Sequence, residues 1–367
     1  MSTPETFYRE AIDLNRYSNQ VARQIVTNYN NVILDLTNKL ATIDEVTAPA
    51  TVARIRAMLV QMKESLESWS NESAVYLADE LQGLALFQTE FVKDQLERVL
   101  PKGTVGVNSV EISPDFARSI VFTDPTEINI LTLPTDLETT VQRSFNLTAA
   151  KGSAITLPSG QVAQKAFRGI STKQAELISS QIRIGITEGE SIPKIAKRLR
   201  GRLQFGANQE MTAKAQRLAG GEGMKLANNQ VMTIVRTSVN QVQNSVNQET
   251  YAANRDVTQR YEYVATLDSR TSAICGSLDG RIFKYGEGPM PPQHFNCRST
   301  TVPIIDDDDL RRRFPDTRPS ATGRVPQGVN YASWLKDNPS IQQQALGNKK
   351  RFFNYLIDKK NKSPREA

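Results

Sequence analysis

The chain has 367 residues, 39% of them hydrophobic, and carries a formal net charge of +6 from 45 basic and 39 acidic side chains. A chain of this length is expected to form two or three domains, and its apolar fraction excludes a wholly disordered protein. The mild positive charge permits contact with nucleic acid but does not demand it.

Cysteine content and hydrophobicity narrow the class of protein further. With only two cysteines, a disulfide-stapled fold is excluded, and the low count suits synthesis in a reducing cytoplasm. The sequence contains no run of about 18 apolar residues, so we expect no membrane-spanning helix. The first residues, MSTPETFYRE, lack an apolar stretch, so we expect no Sec-type signal peptide.

Residues 1–100 are predicted to form an elongated helical N-terminal region. Pro4 suits the first turn of a helix, and apolar side chains then recur at steps of three and four residues as far as Ile43. The stretch DEVTAPAT at 44–51 interrupts this pattern, and two further apolar stripes follow as far as Leu100. The stripes suit either antiparallel packing in a helical bundle or docking on a partner, and both interpretations stay open.

Residues 101–165 differ in composition, because prolines, glycines and threonines are frequent there. Short apolar runs such as SIVFT and INILTLP are separated by turn-forming residues. This pattern predicts short strands or an extended linker between two helical regions.

Helical patterning returns over residues 171–255. The sequence predicts a helix, a turn at Glu188 and Gly189, and a second helix that Ser191 can cap. A long helix is predicted over 228–255, with valines and isoleucines on one side. Its many Asn and Gln residues lower helix propensity, but their amides can form hydrogen bonds across an interface.

The second of these helices ends in the basic stretch KIAKRLRGR. Positive charge at a helix C-terminus is favourable through the helix dipole, so a solvated helix end is one explanation. Contact with phosphate groups of a nucleic acid is the other explanation, and the basic residues that would make it are Lys194, Lys197, Arg198, Arg200 and Arg202.

Residues 261–305 are predicted to be a compact α+β module within a protein that is otherwise mainly α-helical. YEYVATL alternates and is rich in strand formers, and STTVPI is predicted to be a closing strand. Between them Asp268 can cap a helical step that leads to Cys275. The pair Asp279-Gly280, between apolar segments, predicts a hairpin turn.

The module contains both cysteines of the chain, Cys275 and Cys297, and its only histidine, His294. Two thiolates and an imidazole are good ligands for one zinc ion, and Asp268 can supply a fourth. A second interpretation is a Cys–His nucleophile in which Asp268 orients the imidazole. The spacing lacks a C-x-x-C pair, so it does not decide between them.

A third interpretation gives the same residues a structural role, with buried or disulfide-linked cysteines. Gly280 then provides a positive φ in a turn, and Pro291 and Pro292 fix the chain that leads to His294. Arginine side chains can pair bidentately with a carboxylate. The pairing candidates are Arg270 and Arg298 as donors with Asp268 or Asp279 as acceptors, and Asn296 lies in the same loop.

The rest of the chain divides into two parts. Residues 306–328 are charged and rich in Pro and Gly, which predicts a flexible linker. Residues 329–367 predict a basic tail with two short helices.

These motifs resemble those of one known family. LDSRTSAIC, GSLDGRIF and PPQHFNCRSTTVPI are similar to the signature of the phage head morphogenesis proteins, the family of the phage Mu F protein and of the minor head protein of phage SPP1. The matching residues are Asp268, Arg270, Thr271, Cys275, Leu278, Gly280, Pro291, Pro292, His294, Asn296, Cys297, Arg298 and Pro303.

Flanking segments extend the resemblance to roughly residues 170–355. ITEGESIPKIAKRLR resembles the family's helix entry, and VRTSVNQVQN, which contains Arg236 and Thr237, resembles its Arg-Thr helix. YASWLKDNPSIQQQALGNKKRFF is similar to a tail found after the core. On this resemblance residues 166–305 form the head morphogenesis core, and residues 1–165 lie outside it.

The resemblance implies a minor capsid protein, made in the host cytoplasm and carried inside the head of a tailed phage next to the portal vertex. It implies a role in head morphogenesis, virion assembly or DNA ejection, and no enzymatic activity. The implied partners are the portal protein, the major capsid or scaffolding protein, and packaged double-stranded DNA. Two alternatives stay open: a DNA-binding ejection protein, and a hydrolase or nuclease-like factor that uses Cys275, His294 and Asp268.

Overall fold

The structure, a computed structural model, describes residues 3–43, 48–100, 106–122, 157–158, 161–200, 220–305 and 317–346. Its helices are α1 (Thr3–Ala41), α2 (Ala48–Val99), α3 (Phe116–Phe122), α4 (Ala163–Thr187), α5 (Ile192–Arg200), α6 (Gly220–Ala253), α7 (Ala273–Leu278), α8 (Tyr331–Asp337) and α9 (Pro339–Leu346). Its strands are β1 (Thr258–Val264), β2 (Ile282–Lys284), β3 (Thr300–Ile305), β4 (Thr317–Ser320) and β5 (Gly323–Pro326). The predicted fold class, mainly α with a small α+β module, is confirmed.

Helices α1, α2, α4, α5 and α6 form the helical body around one apolar core. The predicted interruption near residue 44 separates α1 from α2, and α2 continues through both later stripes as one helix of 52 residues. In the centre of the body, the Trp69 ring lies 5.0 Å from that of Tyr29 and 6.1 Å from that of Phe167. Among the described residues, no helix has the length and apolar character needed to span a membrane.

The segment predicted to contain short strands includes a helix instead. SIVF, which was predicted to be extended, belongs to α3. The buried residues Phe116, Ala117, Ile120 and Val121 follow helical spacing, because all of them face the core. The side chain of Gln82 on α2 accepts a hydrogen bond from the Ala117 N–H at 3.0 Å, so tertiary contact satisfies the first turn. INILTLP lies outside the described residues.

The module is built on an antiparallel sheet in the order β2-β1-β3, which confirms both predicted strands. Tyr261 at the centre of β1 pairs with Phe283 on β2 and with Pro303 on β3. The predicted hairpin at Asp279-Gly280 is wrong, because these residues follow the end of α7. Gly280 has a φ of 75°, as expected, and its N–H donates to the Tyr263 carbonyl at 2.8 Å.

Residues 317–326, predicted as part of a flexible linker, form the hairpin β4–β5. They are held because the buried Arg318 of β4 pairs with Asp279 of the module. Residues 306–316 lie outside the described part of the chain.

The two short helices predicted in the tail are confirmed as α8 and α9. Tyr331 of α8 packs directly on α7, and a Cβ at Gly276 would lie 2.5 Å from the Tyr331 ring. Glycine is therefore required at this contact. The basic end of the tail, from residue 347, lies outside the described residues.

Candidate metal centre

Helix α7 places Cys275 in its first turn. The helix begins after Ser272, whose Oγ accepts a hydrogen bond from the Cys275 N–H at 3.2 Å. The prediction that Asp268 is the N-cap is therefore wrong. Its Oδ1 instead accepts the Arg270 N–H at 2.9 Å in the preceding turn, because it lies too far from the first helical residue.

His294 and Cys297 lie on the loop between β2 and β3. The loop contains a cis peptide bond between Pro291 and Pro292, and Asn296 has a φ of 57°, in the left-handed region that Asn tolerates. Asn296 also fixes the loop to α6, since its N–H donates to the Thr237 Oγ1 at 3.0 Å. A helix far away in sequence thus holds the loop next to α7.

The two cysteines and the histidine meet at one point. The Cys275 Sγ lies 3.2 Å from the His294 Nε2 and 3.6 Å from the Cys297 Sγ, and the three ligand atoms all lie within 4.8 Å of one another. Both thiols are buried and free. A sulfur–sulfur distance of 3.6 Å is far longer than a disulfide bond, so the cysteines are not linked here.

The loop backbone fixes the orientation of the histidine ring. The His294 Nδ1 lies 2.8 Å from the Phe295 carbonyl oxygen. A carbonyl only accepts, so Nδ1 donates and the neutral ring presents the Nε2 lone pair to Cys275. The hydrogen bond with Cys275 raises the pKa of His294.

The pKa values of the two thiols shift in opposite directions. Hydrogen bonding with Cys297 and then with His294 lowers the pKa of the Cys275 thiol, although burial opposes this. Burial, and next the neighbouring Cys275, raise the pKa of Cys297.

Tyr263 is a site residue that the sequence did not reveal. Its hydroxyl lies 3.2 Å from the Cys275 Sγ, and the side chain is fully buried. Alternation along β1 indicates that Tyr263 faces inward, but no local pattern indicates a cysteine as its partner.

Asp268 is not part of the metal-binding group. Its carboxylate accepts two hydrogen bonds from Arg298, from Nη1 at 2.5 Å and from Nη2 at 2.7 Å. Burial alone would raise the pKa of Asp268, but the hydrogen bonds and charge of Arg298 outweigh it and lower this pKa. Asp268 therefore neither extends the ligand set nor orients His294, whose Nδ1 is bound to the backbone.

Arg270 lies at the edge of this pair, with Nη2 3.6 Å from the Asp268 carboxylate. Arg236 of α6 is close by, and its Nε donates to the Asn19 side chain at 2.7 Å. Burial lowers the pKa of Arg236, and the positive charges of Arg270 and Arg298 lower it further. Two arginines thus pair with Asp268, and Arg236 lies close enough to both for its pKa to respond to their charges.

Asp279 forms a second ion pair, with Arg318 of the segment that was predicted to be a linker. The Arg318 guanidinium donates to both Asp279 oxygens, at 3.0 and 3.1 Å, and Arg318 is only 2% exposed. The same carboxylate accepts the backbone N–H groups of Ala265 at 2.7 Å and Tyr331 at 2.6 Å. Asp279 therefore ties the sheet, the hairpin and the tail together.

The polar face of α6 docks the module onto the helical body. The Asn240 amide donates to the Ser299 carbonyl at 2.8 Å, and the Tyr251 hydroxyl donates to the Thr301 carbonyl at 3.1 Å. The amides predicted to bridge an interface do so within this chain.

The residues suggested for nucleic-acid contact belong to a different element, α5. Lys194 and Lys197 are exposed, and the Lys194 Nζ lies 3.5 Å from Glu190. Arg198 and Arg200 also lie on α5, and Arg202 lies outside the described residues.

The Cys275, His294 and Cys297 group can bind a metal ion. Two ligands about 2.3 and 2.1 Å from a tetrahedral zinc ion lie roughly 3.6 Å apart, and two sulfurs about 3.8 Å apart. The observed separations of 3.2 and 3.6 Å are close to these values. The donor set fits zinc, and the described residues supply three protein ligands.

Comparison with known proteins agrees with the signature in the sequence. Residues 176–302 match the family model described as phage Mu protein F like protein. This range runs from within α4 to within β3 and includes every residue of the candidate metal centre. No curated protein and no solved structure gave a significant match. Residues 176–302 are therefore similar to the phage Mu protein F-like family, which agrees with the resemblance of the sequence motifs to the phage head morphogenesis proteins.

Proposed function

We propose that this protein is a minor capsid protein of a tailed bacteriophage, associated with the portal inside the head and acting in head morphogenesis or genome delivery. The observation that carries the proposal is the match of residues 176–302 to the phage Mu protein F-like family. The partners it implies are the portal protein, the major capsid or scaffolding protein, and the packaged double-stranded DNA.

Features outside the matched region support a docking role. Helix α2 exposes two neighbouring apolar side chains, Leu86 at 51% and Phe87 at 58%. Exposed large apolar residues that lie together suit contact with another protein. The net charge of +6 favours proximity to DNA without sequence preference.

The test is genetic and structural. A nonsense mutation in this gene, in the phage genome that carries it, is expected to reduce infectious titre by orders of magnitude and to yield empty or unstable heads. A plasmid copy of the intact gene should restore the titre. Cryo-electron microscopy of wild-type particles should show the chain at the portal vertex. Normal filled, infectious particles without the protein would refute the proposal.

We also propose that Cys275, His294 and Cys297 hold one zinc ion, which would crosslink α7 to the β2–β3 loop. Support comes from the donor set and from the agreement of its distances with zinc geometry. When bound, the ion supplies structural crosslinking. Tyr263 holds the Cys275 sulfur in place, and the Phe295 carbonyl holds the imidazole with Nε2 toward the site.

Metal analysis of the purified protein tests this assignment. We expect about one zinc per chain in the wild type and a large loss in Cys297→Ser, with a lower thermal midpoint after chelation. Ser277→Ala, on the exposed side of α7, is the matched control and should retain the metal. Wild-type protein that contains no zinc and does not bind it after addition would contradict the assignment.

One observation favours an enzyme as the rival: the Cys275 Sγ and His294 Nε2 are 3.2 Å apart, within reach of a nucleophile and its base. The rival predicts that His294→Ala leaves the fold intact and abolishes a hydrolytic reaction. The structural role predicts that the same variant loses thermal stability and incorporation into heads. Thermal unfolding and particle composition, measured on one variant, separate the two.

The DNA-binding ejection alternative has its own test. Sequence-independent DNA affinity that falls steeply with salt would support it, and Lys194→Gln with Lys197→Gln should then weaken binding. If the protein does not bind DNA, or if its DNA affinity does not change with salt concentration, this alternative is wrong.

A further inference from the structure

A cleft of about 330 Å³ lies between helix α1 and the module. Its walls come from the first turns of α1, the end of β1 and the loop after it, and the hairpin β4–β5. It includes none of the three residues proposed as zinc ligands. A volume of this size is at the lower end of small-ligand sites.

Arginine guanidinium groups supply the charge of the cleft. Four arginines and one aspartate are among its lining residues. The Arg318 guanidinium is committed to the buried Asp279, and Arg298 is paired with Asp268. Arg16 and Arg270 remain at the rim.

The two rim arginines keep most of their donors available. The Arg16 side chain is 77% exposed, and its one ion pair among the described residues is with Asp13 at 3.0 Å. The Arg270 side chain is 78% exposed and lies 3.6 Å from Asp268. Arg16, Arg270 and Arg298 carry three positive charges, and their partners Asp13 and Asp268 carry two negative charges. These groups therefore leave the cleft with a surplus of one positive charge. An anion is therefore the ligand that its electrostatics favours.

A buried polar atom provides an independent sign of a ligand. Thr300 lines the cleft, is only 2% exposed, and its Oγ1 has no hydrogen-bond partner among the described residues. An unpaired buried hydroxyl costs about 1–3 kcal/mol, so such atoms in native structures call for a partner. A hydroxyl can donate to an oxyanion, and guanidinium groups bind the same oxyanion in pairs.

Apolar side chains form much of the remaining wall, and they distinguish a carboxylate from a phosphate. Ile12 on α1, Val264 on β1, Leu267 after β1 and Pro319 on β4 are among the lining residues, together with the polar Asn15, Thr266 and Ser320. Apolar walls gain nothing from a free phosphate or from the hydrophilic backbone of duplex DNA, which also cannot enter a cavity of this size. A carboxylate attached to a short apolar segment satisfies both parts of the cleft.

We propose that this cleft binds the carboxylate of a short apolar peptide segment, through Arg16, Arg270, Arg298 and Thr300. The oxyanion accepts hydrogen bonds from the guanidinium groups and the hydroxyl, and the apolar side chain lies against the inner wall. This binding site is independent of the zinc assignment and of the location of the protein in a virion.

The experiment uses the full chain with ¹⁵N-labelled arginine, observed by NMR at the Nε–H groups. The probe is the dipeptide N-acetyl-alanyl-leucine, with its C-terminal amide and inorganic phosphate as comparison ligands. We expect saturable shifts with the carboxylate form and much weaker binding of the amide. Arg16→Gln and Arg270→Gln should each weaken binding about five- to tenfold, as expected for a lost charge-assisted hydrogen bond.

Arg23→Gln is the matched control, because Arg23 is exposed on the same helix and does not line the cleft. Its affinity should equal that of the wild type. Arg16 and Arg270 are mostly exposed, so unchanged thermal midpoints should accompany the loss. Equal binding of the amide, tighter binding of phosphate, no saturable binding, or binding that both cleft variants retain would each overturn the proposal.

Discussion

The helical body and the β1–β3 module are stabilised in different ways. The body has a long apolar core in which side chains such as Leu66 and Leu81 are fully buried. The apolar cluster that lies wholly within the module is small, and consists of Tyr263, Ala265, Cys275, Leu278 and Cys297. A second cluster, which includes Tyr261, Val264, Tyr285 and Val302, is shared with the helices. The module depends in addition on buried ion pairs and hydrogen bonds that each join particular side chains.

This difference determines how each region responds to substitution. In the body, the cost of truncating a side chain follows the apolar area removed and the cavity left behind. In the module, removing one member of a pair leaves a buried polar or charged partner without its hydrogen bonds, which costs more than the pair itself contributes.

The largest effect is expected at the Arg318–Asp279 pair. Arg318→Met should lower the free energy of unfolding by about 3–5 kcal/mol, because the buried Asp279 carboxylate loses its counter-charge. Urea unfolding measures this change. The double variant Asp279→Asn with Arg318→Met should recover part of the loss, since it leaves no unpaired charge.

Arg324→Met is the matched control for that prediction. Arg324 lies on the same hairpin and pairs with Glu5, but its side chain is 55% exposed. Glu5 keeps its other ion pair, with Arg9 at 2.9 Å, and a pair with one exposed partner contributes little, so we expect a loss below about 1 kcal/mol. Equal losses for the two arginine variants would show that burial of the pair does not matter.

In the helical body, the loss of stability on truncating a side chain should depend only on how deeply that apolar side chain is buried. Leu81→Ala, at a fully buried position of α2, is expected to cost about 2–5 kcal/mol. Leu86→Ala on the same helix, where the leucine is 51% exposed, should change the free energy of unfolding by less than about 0.5 kcal/mol. Similar urea midpoints for both variants would contradict the comparison.

The smallest effect concerns Glu10, a buried carboxyl group on α1. Gln243 on α6 donates to its carboxylate at 3.3 Å, and burial raises the pKa of Glu10 from 4.5 to about 8. At pH 6 to 7 the folded chain therefore keeps a proton that the unfolded chain has lost. The free energy of unfolding should therefore fall by about 1.4 kcal/mol as the pH rises from 6 to 7.

Glu10→Gln removes this titration, so the difference between wild type and variant isolates it. Below about pH 4.5 and above about pH 8, the difference should become constant. Glu64→Gln, at an exposed position of α2, should run parallel to the wild type at every pH. A Glu10→Gln curve that is also parallel would refute the assignment.

Local pattern was sufficient for the long helices and for the two main strands. Steps of three and four residues indicate the buried side of α1, and alternation indicates β1, because both periods follow from backbone geometry within one element. The candidate centre was also identified, since Cys275, His294 and Cys297 are rare residues on one short segment.

Where tertiary contact opposes local preference, the predictions were wrong. SIVF has β-forming residues, but packing on α2 makes it helical. The composition of residues 317–326 indicates a linker, and a single buried arginine makes them a hairpin. Asp268 was assigned to the metal group, although its partner is Arg298.

The amino-acid sequence alone determined the helical body, the strands of the module, the family signature and the three residues of the candidate metal centre, because each of these depends on residues that are near one another in the chain. Only the tertiary structure decided which carboxylate each arginine binds, which amides of α6 hold the module, and that α1 closes a cleft over it. Those pairings join residues that are far apart in the chain, and no local periodicity records which distant groups will share a buried hydrogen bond.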